Sequence, residues 1–529
     1  MSKELDEKLF SAVYREDMEQ IKNLIKQGAN VDAKGFGAYT ALGLAIEKGN
    51  IDIVKELVQA KKAEKKIDGL YGEELIFAIK KDDFALATEL LHMGADPNYV
   101  DFERNSGFIL AVEKGNVDLI KEMIKMGANV NTRNSNNNTA LYIAVQKEKG
   151  DVVSLLLQAK ADPKIKGQGR KTPLILAVEK SNLTIFRFLL NAGADVNDTD
   201  YDGNTPLILA TMKGEEVMVR ELLKAGANIN ARGFGNYTAI MLAIENNYKN
   251  IINLLLDEGA DVNLENNDGE NCIIIAVKRK NSEMLKKLVQ KGASLESCDI
   301  QGNNLLNIAI EGDDVKTCLE LIKLGMNVNS RDNKKNTPLI NAVIKGRREI
   351  VRILLDSGAE INAKGFGSYS AICFAARGKD INTIDLLIRA GADVNVKGYG
   401  RYTPLHFAAE AGCTECALKL LEAGAEIDSF NLFNKTPLLI AAENGFLDIV
   451  KLLIKKGADI NVKDNNDNNA LILAAEKGHY DVLRELINNG IYVNIRNKQG
   501  ETAYMLARKK GYDKICDELI KAGSADVVE

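Results

Sequence analysis

The chain predicts an all-α solenoid: helix–turn–helix units stacked side by side, without a central sheet. Three observations predict it. Alanine recurs every 33 residues from Ala12 through Ala408 to Ala507, sixteen times in sixteen steps. The same step from Leu420 gives Leu in every unit except at Met123. From Gly424 it gives Gly in every unit except at Lys61 and Lys160. Chance does not hold one phase across 529 residues.

The stretch Thr403–Asp428, TPLHFAAEAGCTECALKLLEAGAEID, shows what each unit does. Thr403 can accept a backbone N–H from the first helical turn, and Pro404 sits where a missing N–H costs nothing. Leu405, Ala408 and Ala409 form an apolar stripe at helical spacing. Gly412 supplies a helix stop. A second apolar run, Ala417, Leu418, Leu420 and Leu421, ends at Gly424, and Ala425 to Asp428 leads out extended. Two helices this short cannot bury their own apolar faces, so each unit needs neighbours. Ala lets helices approach closely, Leu fills the seam, and Gly provides positive φ after the second helix.

A 33-residue unit carrying T-P-L-H-x-A, two helices and a turn resembles the ankyrin repeat over essentially the whole chain. TPLH is intact only at Thr403–His406; elsewhere it reads TPLI (Thr172, Thr205, Thr337), TPLL (Thr436), TALG (Thr40) and TALY (Thr139). The closing GADVN, or a near relative, occurs at Gly193, Gly259, Gly391 and Gly457. The resemblance implies short β-hairpin fingers between units and one elongated domain over residues 1–529. Residues 1–33 would be an N-terminal cap, 34–495 fourteen internal repeats and 496–529 a C-terminal cap.

Taken in order, the first unit keeps Leu9, Ala12, Leu24 and Gly28 but has Glu7 in place of Thr, as expected of a wettable cap. The next seam is irregular. Lys61 stands where Gly should stop a helix, and Glu73 stands at the capping position, so residues 60–75 are the expected weak point. From Ser106 to Thr502 the capping position is always Thr, Ser or Asn. The last unit carries Arg508, Lys509, Lys510 and Asp513 among its apolar positions and reads as a polar cap.

The net charge of −5 suggests neither a nucleic-acid nor an anionic-membrane partner. No apolar run approaches the roughly 18 residues a membrane span needs, so no membrane insertion is expected. The charged N-terminus carries no visible signal peptide. Seven cysteines without a framework point to a reducing, cytoplasmic compartment.

Little here suggests chemistry. His92, His406 and His479 fall in separate repeats at different positions, so no pair shares metal or triad spacing. The resemblance implies a loop-bonding role for His406. Cys413 and Cys416 form C-x-x-C; Cys413 falls in the inter-helix turn, but Cys416 takes the packing position of Val54 and Val450 and no second pair offers a zinc site, so the pair reads as structural rather than as a redox or zinc site. KGFGAYT (34–40) contains G-x-G but lacks the preceding strand and third Gly of a dinucleotide loop. No metal, cofactor or catalytic residue is therefore expected.

That same motif is the most informative departure from the repeat. It recurs as RGFGNYT (232–238), KGFGSYS (364–370) and KGYGRYT (397–403), with a weak copy KGQGRKT (166–172). It pairs Phe36 with Tyr39, Phe234 with Tyr237, Phe366 with Tyr369 and Tyr399 with Tyr402. Two readings stand: the rings pack on adjacent fingers, or they are exposed contact anchors. Rows of Glu (Glu311, Glu410) and Lys (Lys114, Lys345) on the inner helices read either as a self-screened solvated face or as a polar recognition surface.

The resemblance implies a non-catalytic protein–protein interaction scaffold, expected to be monomeric, with a protein partner. The aromatic pairs, together with Arg377, His406 and Glu410 on the inner-helix line, are the candidate contacts. An inhibitor or immunity-type protein wrapping one enzyme or toxin is the sharper variant.

Overall fold

The computed structural model describes residues 2–35, 39–64, 71–102, 104 and 106–524. The described residues form 32 α-helices in pairs, and the chain divides into two compact units, Met1–Asp261 and Val262–Glu529. In the first unit the helices run from Ser2–Tyr14 to Lys249–Asp257, and in the second from Cys272–Lys278 to Asp513–Lys521. Within each unit a helix packs on its own partner and on the equivalent helix of the next repeat.

The alanine phase is the core: all sixteen alanines are buried, as are Leu420, its equivalents and Met123. Thr403 is extended (φ −101°) and accepts the His406 N–H, and Pro404 opens the helix Pro404–Ala411. Gly412 ends it in the left-handed region at φ 74°. The second helix, Thr414–Glu422, closes with Gly424 N–H on Leu421 O (3.1 Å) and Ala425 N–H on Leu420 O (3.0 Å), the paired C-terminal bonds a left-handed glycine permits. Ser106 and Ser370 sit at capping positions but accept no N–H from their helices.

The closing motif's asparagine stitches repeats together. Asn395 Nδ2 donates to Gly424 O (3.0 Å) while its Oδ1 accepts the Glu426 N–H (2.7 Å). Asn197 makes the same two bonds to Gly226 and Asn228. Main-chain groups at the helix exit are thereby satisfied by the preceding repeat.

Lys61 and Lys160, the two substitutes for glycine, behave differently. Lys160 takes φ 65° and the helix Gly150–Gln158 stops before it. At Lys61 the helix runs on to Glu64, giving Ile51–Glu64. Lys61 Nζ is held by Asp32 (2.8 Å) and Glu74 (3.2 Å). The next helix, Gly72–Lys80, starts one residue ahead of Glu73, so Glu73 lies in its first turn rather than capping it. Tyr71 takes the cap at φ 71°, with its buried ring tied back by a hydroxyl bond to Val58 O (2.6 Å). Residues 65–70 of the expected weak seam lie outside the described residues.

The expected β-hairpins are reduced. Among the described residues pairing is limited to isolated antiparallel bridges: Lys34–Thr40, Val100–Ser106, Arg133–Thr139 and Cys298–Asn304. Where the G-x-G motif recurs, at 234–236, 366–368 and 399–401, the tip is a single 3₁₀ turn.

Candidate functional site: the aromatic tips of the second unit

The two glycines of each aromatic tip have different work. At Gly367 and Gly400 φ is +65° and +68°, so the tip turns through the left-handed region. Gly365 and Gly398 have no such requirement; a Cβ there would collide with Asn336 and with the Tyr369 ring, respectively. The first glycine thus permits contact with the preceding repeat, and the second makes the turn.

This geometry separates the aromatic pairs. Tyr369 is half-buried, edge-on to Phe407 (5.0 Å between centroids) and Phe374 (6.1 Å), and its hydroxyl donates to Tyr399 O (3.0 Å). Burial pushes its pKa up. Tyr402 leans on Phe407 (5.4 Å) and His406 (5.5 Å). These two tyrosines are packing residues that bind one tip to the next. The leading rings are not packed: Phe366 is 66% exposed, Tyr399 77% and Phe234, in the first unit, 73%. Phe433 and Leu432, at the following tip, are also exposed, and Leu432 N–H donates to Gly400 O (2.8 Å). In the first unit Tyr39 is partly exposed, edge-on to Phe77 (6.3 Å), and Tyr237 is half-buried. Phe36 lies outside the described residues.

Arg377 and Glu410 are exposed on the inner-helix line. His406 is not a surface residue, which corrects its place among the contacts. Its ring is fully buried, with Nδ1 accepting the Thr403 N–H (3.2 Å) and Nε2 donating to Lys435 O (3.1 Å). Its sequence role of bonding a neighbouring loop is the one it fills. The charge rows meet at Lys345 and Glu311 (3.2 Å), while Lys114 and Lys48 of the Lys row reach Asp82 (2.7 Å) and Glu16 (3.5 Å), outside the Glu row.

Cys413 and Cys416 also need correcting, because they are joined by a disulfide. Cys416 does occupy the buried packing position, but Cys413, at the N-cap of Thr414–Glu422, turns over the helix start to meet it. Among the described residues no group of three His, Cys, Asp or Glu side chains could hold a metal ion. No helix among them is long and apolar enough to cross a membrane.

Sequence rows conceal a second feature, beside Phe366. Every 33rd residue from Leu44 to Leu506 is aliphatic or Phe, apart from Asn341. Asn307 likewise replaces the apolar residue held by Ile274 and Ile340. Conversely Ile344 stands in the row occupied by Glu311, Arg377 and Glu410 and is 48% exposed. Polarity is inverted here, around a groove of about 650 Å³ that Phe366 and Phe374 also line; the outward row is apolar at Met212 too, also 48% exposed. A consensus scan passes over it, since its signal is departure from a row.

The repeat geometry is the ankyrin geometry, and the family comparison agrees. The family model described as ankyrin repeats (three copies) matches the chain in nine windows, the first 9–101 and the last 438–529. The chain belongs to the ankyrin repeat family. Among curated proteins none matches it.

Proposed function

We propose that the protein is a non-catalytic scaffold that binds a protein partner through the tips carrying Phe366 and Tyr399 and the adjoining face with Arg377 and Glu410. Ankyrin repeats are in general protein–protein interaction modules. One observation supports this placement: in both motifs of the second unit the second aromatic, Tyr369 or Tyr402, is packed while the first, Phe366 or Tyr399, is left in solvent on a braced tip. Large rings on a rigid support contribute contact area at small entropic cost, and such residues dominate interface energetics. Phe234 with Tyr237, and Tyr39 with Phe36, extend the reading to the first unit.

Affinity capture with mass spectrometry identifies the partner, and the double variant Phe366→Ala/Tyr399→Ala tests the site. Binding should weaken by about 2–4 kcal/mol, the hot-spot range, with the melting temperature barely moved. Normal binding by a double variant that melts much earlier would assign the rings to packing and end this placement.

A further inference from the structure

We propose that the groove floored by Asn307 and Asn341 binds the main chain of an extended segment of a protein partner, with Ile344 and Phe374 taking an apolar side chain. This rests on the protein-binding reading and names what the second unit would recognise.

The floor is built, not incidental. Asn341 Nδ2 donates to Asn307 Oδ1 (3.1 Å) and to Asp332 Oδ2 (2.9 Å), and Asn341 Oδ1 accepts from Asn336 Nδ2 (3.2 Å). Asn336 Oδ1 in turn accepts the Phe366 N–H (2.9 Å), so the floor and the exposed ring at the lip belong to one hydrogen-bonded chain. Asn307 is only 2% exposed, and its Nδ2 has no acceptor among the described residues. A buried donor without a partner destabilises the fold, and neighbouring repeats avoid it with Ile at the same place. A residue that breaks its row at a cost to stability is expected where binding requires it.

The chemistry narrows the occupant. The free group is a neutral amide donor, which suits a carbonyl oxygen. Lys334 and Lys345 on the wall are balanced by Glu311 and Asp332, so no positive field selects a phosphate. The groove does not end there. A second depression of about 530 Å³ shares Ile344, Lys345 and Phe374 and continues to Arg377 and Asp380. A trough that crosses repeats, with carboxamides below and aliphatic and aromatic walls, fits an extended chain better than a compact ligand. Main-chain carbonyls supply the acceptors and alternate side chains supply the apolar contact.

The test uses the full chain, immobilised and panned with a display library of short linear peptides. Enriched peptides are resynthesised and titrated by fluorescence anisotropy. The variants are Asn307→Ile/Asn341→Ile and Ile344→Glu, each restoring what other repeats carry in that row, so folding is preserved and the Asn variant melts at or above the wild type. Peptides should be enriched and should lose about tenfold or more in affinity with either variant. An ester replacing the amide whose carbonyl meets the floor should also weaken binding. No enrichment, or unchanged affinity in both variants, overturns the proposal. Peptides lost only with Phe366→Ala/Tyr399→Ala overturn the groove floor and leave the scaffold reading standing. A captured partner indifferent to the tip variant overturns that reading instead.

Discussion

Mild acid should loosen the repeat that carries His406 ahead of its neighbours. The ring is fully buried, and its bonds require the neutral form with the proton on Nε2, because Nδ1 accepts from Thr403 while Nε2 donates to Lys435 O. Burial, foremost, lowers its pKa from 6.5 to about 4; the Lys397 charge acts in the same direction and the Lys435 and Ser429 carbonyls oppose it. The folded pKa lies below the unfolded one, so protonation favours the unfolded repeat. Stability is complete above pH 6.5 and falls progressively towards about 4. Going from about pH 7 to about pH 5, proton linkage removes about 2 kcal/mol from this repeat. Hydrogen exchange, corrected for intrinsic rates, reads it out by comparing Pro404–Glu422 with Pro437–Lys455, where Leu439 replaces the histidine. Protection of the first segment should drop roughly thirtyfold more than that of the second, the ratio that about 2 kcal/mol corresponds to. His406→Leu should start less protected but lose the pH dependence. Equal loss in both segments would refute the reasoning.

Three further outcomes are expected. Asp428 stands in the slot of the stitching asparagine and accepts the Asp459 N–H (3.2 Å). Burial first, and then the Asp459 charge, raise its pKa, so its contribution is fully present at low pH and lost as pH rises through its carboxyl range. Asp428→Asn should therefore stabilise by about 1 kcal/mol at neutral pH, with the gap in melting temperature narrowing in acid; no gain at neutral pH would count against it. Gly400→Ala should cost about 1 kcal/mol through its positive φ, whereas Gly398→Ala should cost more by displacing the Tyr369 ring. Adding Tyr369→Ala should then relieve only the second, a coupling that a double-mutant cycle of thermal melts detects. Finally, amides at 71–75, where the Tyr71 side chain accepts no N–H from the helix it caps, should exchange faster than those of Pro404–Ala411; equal or slower exchange would remove the weak seam.

The helix pairs were legible because their cause is periodic. A position that must be small between helices writes alanine at every turn of the repeat, and the burial of Ala12 through Ala507 follows from that one constraint. Features set by neighbours in space were less legible. Lys61 and Lys160 look identical in sequence, yet only Lys160 adopts the left-handed stop, because the chain after Lys61 continues as helix and its ammonium finds Asp32 and Glu74. The split between Phe366 and Tyr369 depends on which ring meets Phe407 from the next repeat, which spacing alone does not report. The Cys413–Cys416 disulfide depends on where one side chain turns at a helix start. The groove was visible only as breaks in rows, at Asn307, Asn341 and Ile344, that a search for the consensus discards.

Those breaks also explain how a repeat array can carry a costly site. Stability in such a protein is close to a sum of terms for each repeat and each seam. In a globular core, a buried Asn with an unused donor would weaken the whole domain. Here the cost at Asn307 falls on its own repeat and the adjoining seams. Seams such as Ala408 against Ala375, both fully enclosed, are left intact. The bonds from Asn341 through Asn336 to the Phe366 amide then tie the weakened floor to the braced tip. That connection gives the floor a defined shape that its own packing would not supply. Recognition residues can therefore gather in neighbouring repeats of one stretch, and the consensus elsewhere keeps the array folded. On this argument, changes at Asn307 and Asn341 trade affinity for stability in opposite directions, while changes at Phe366 and Tyr399 move affinity alone.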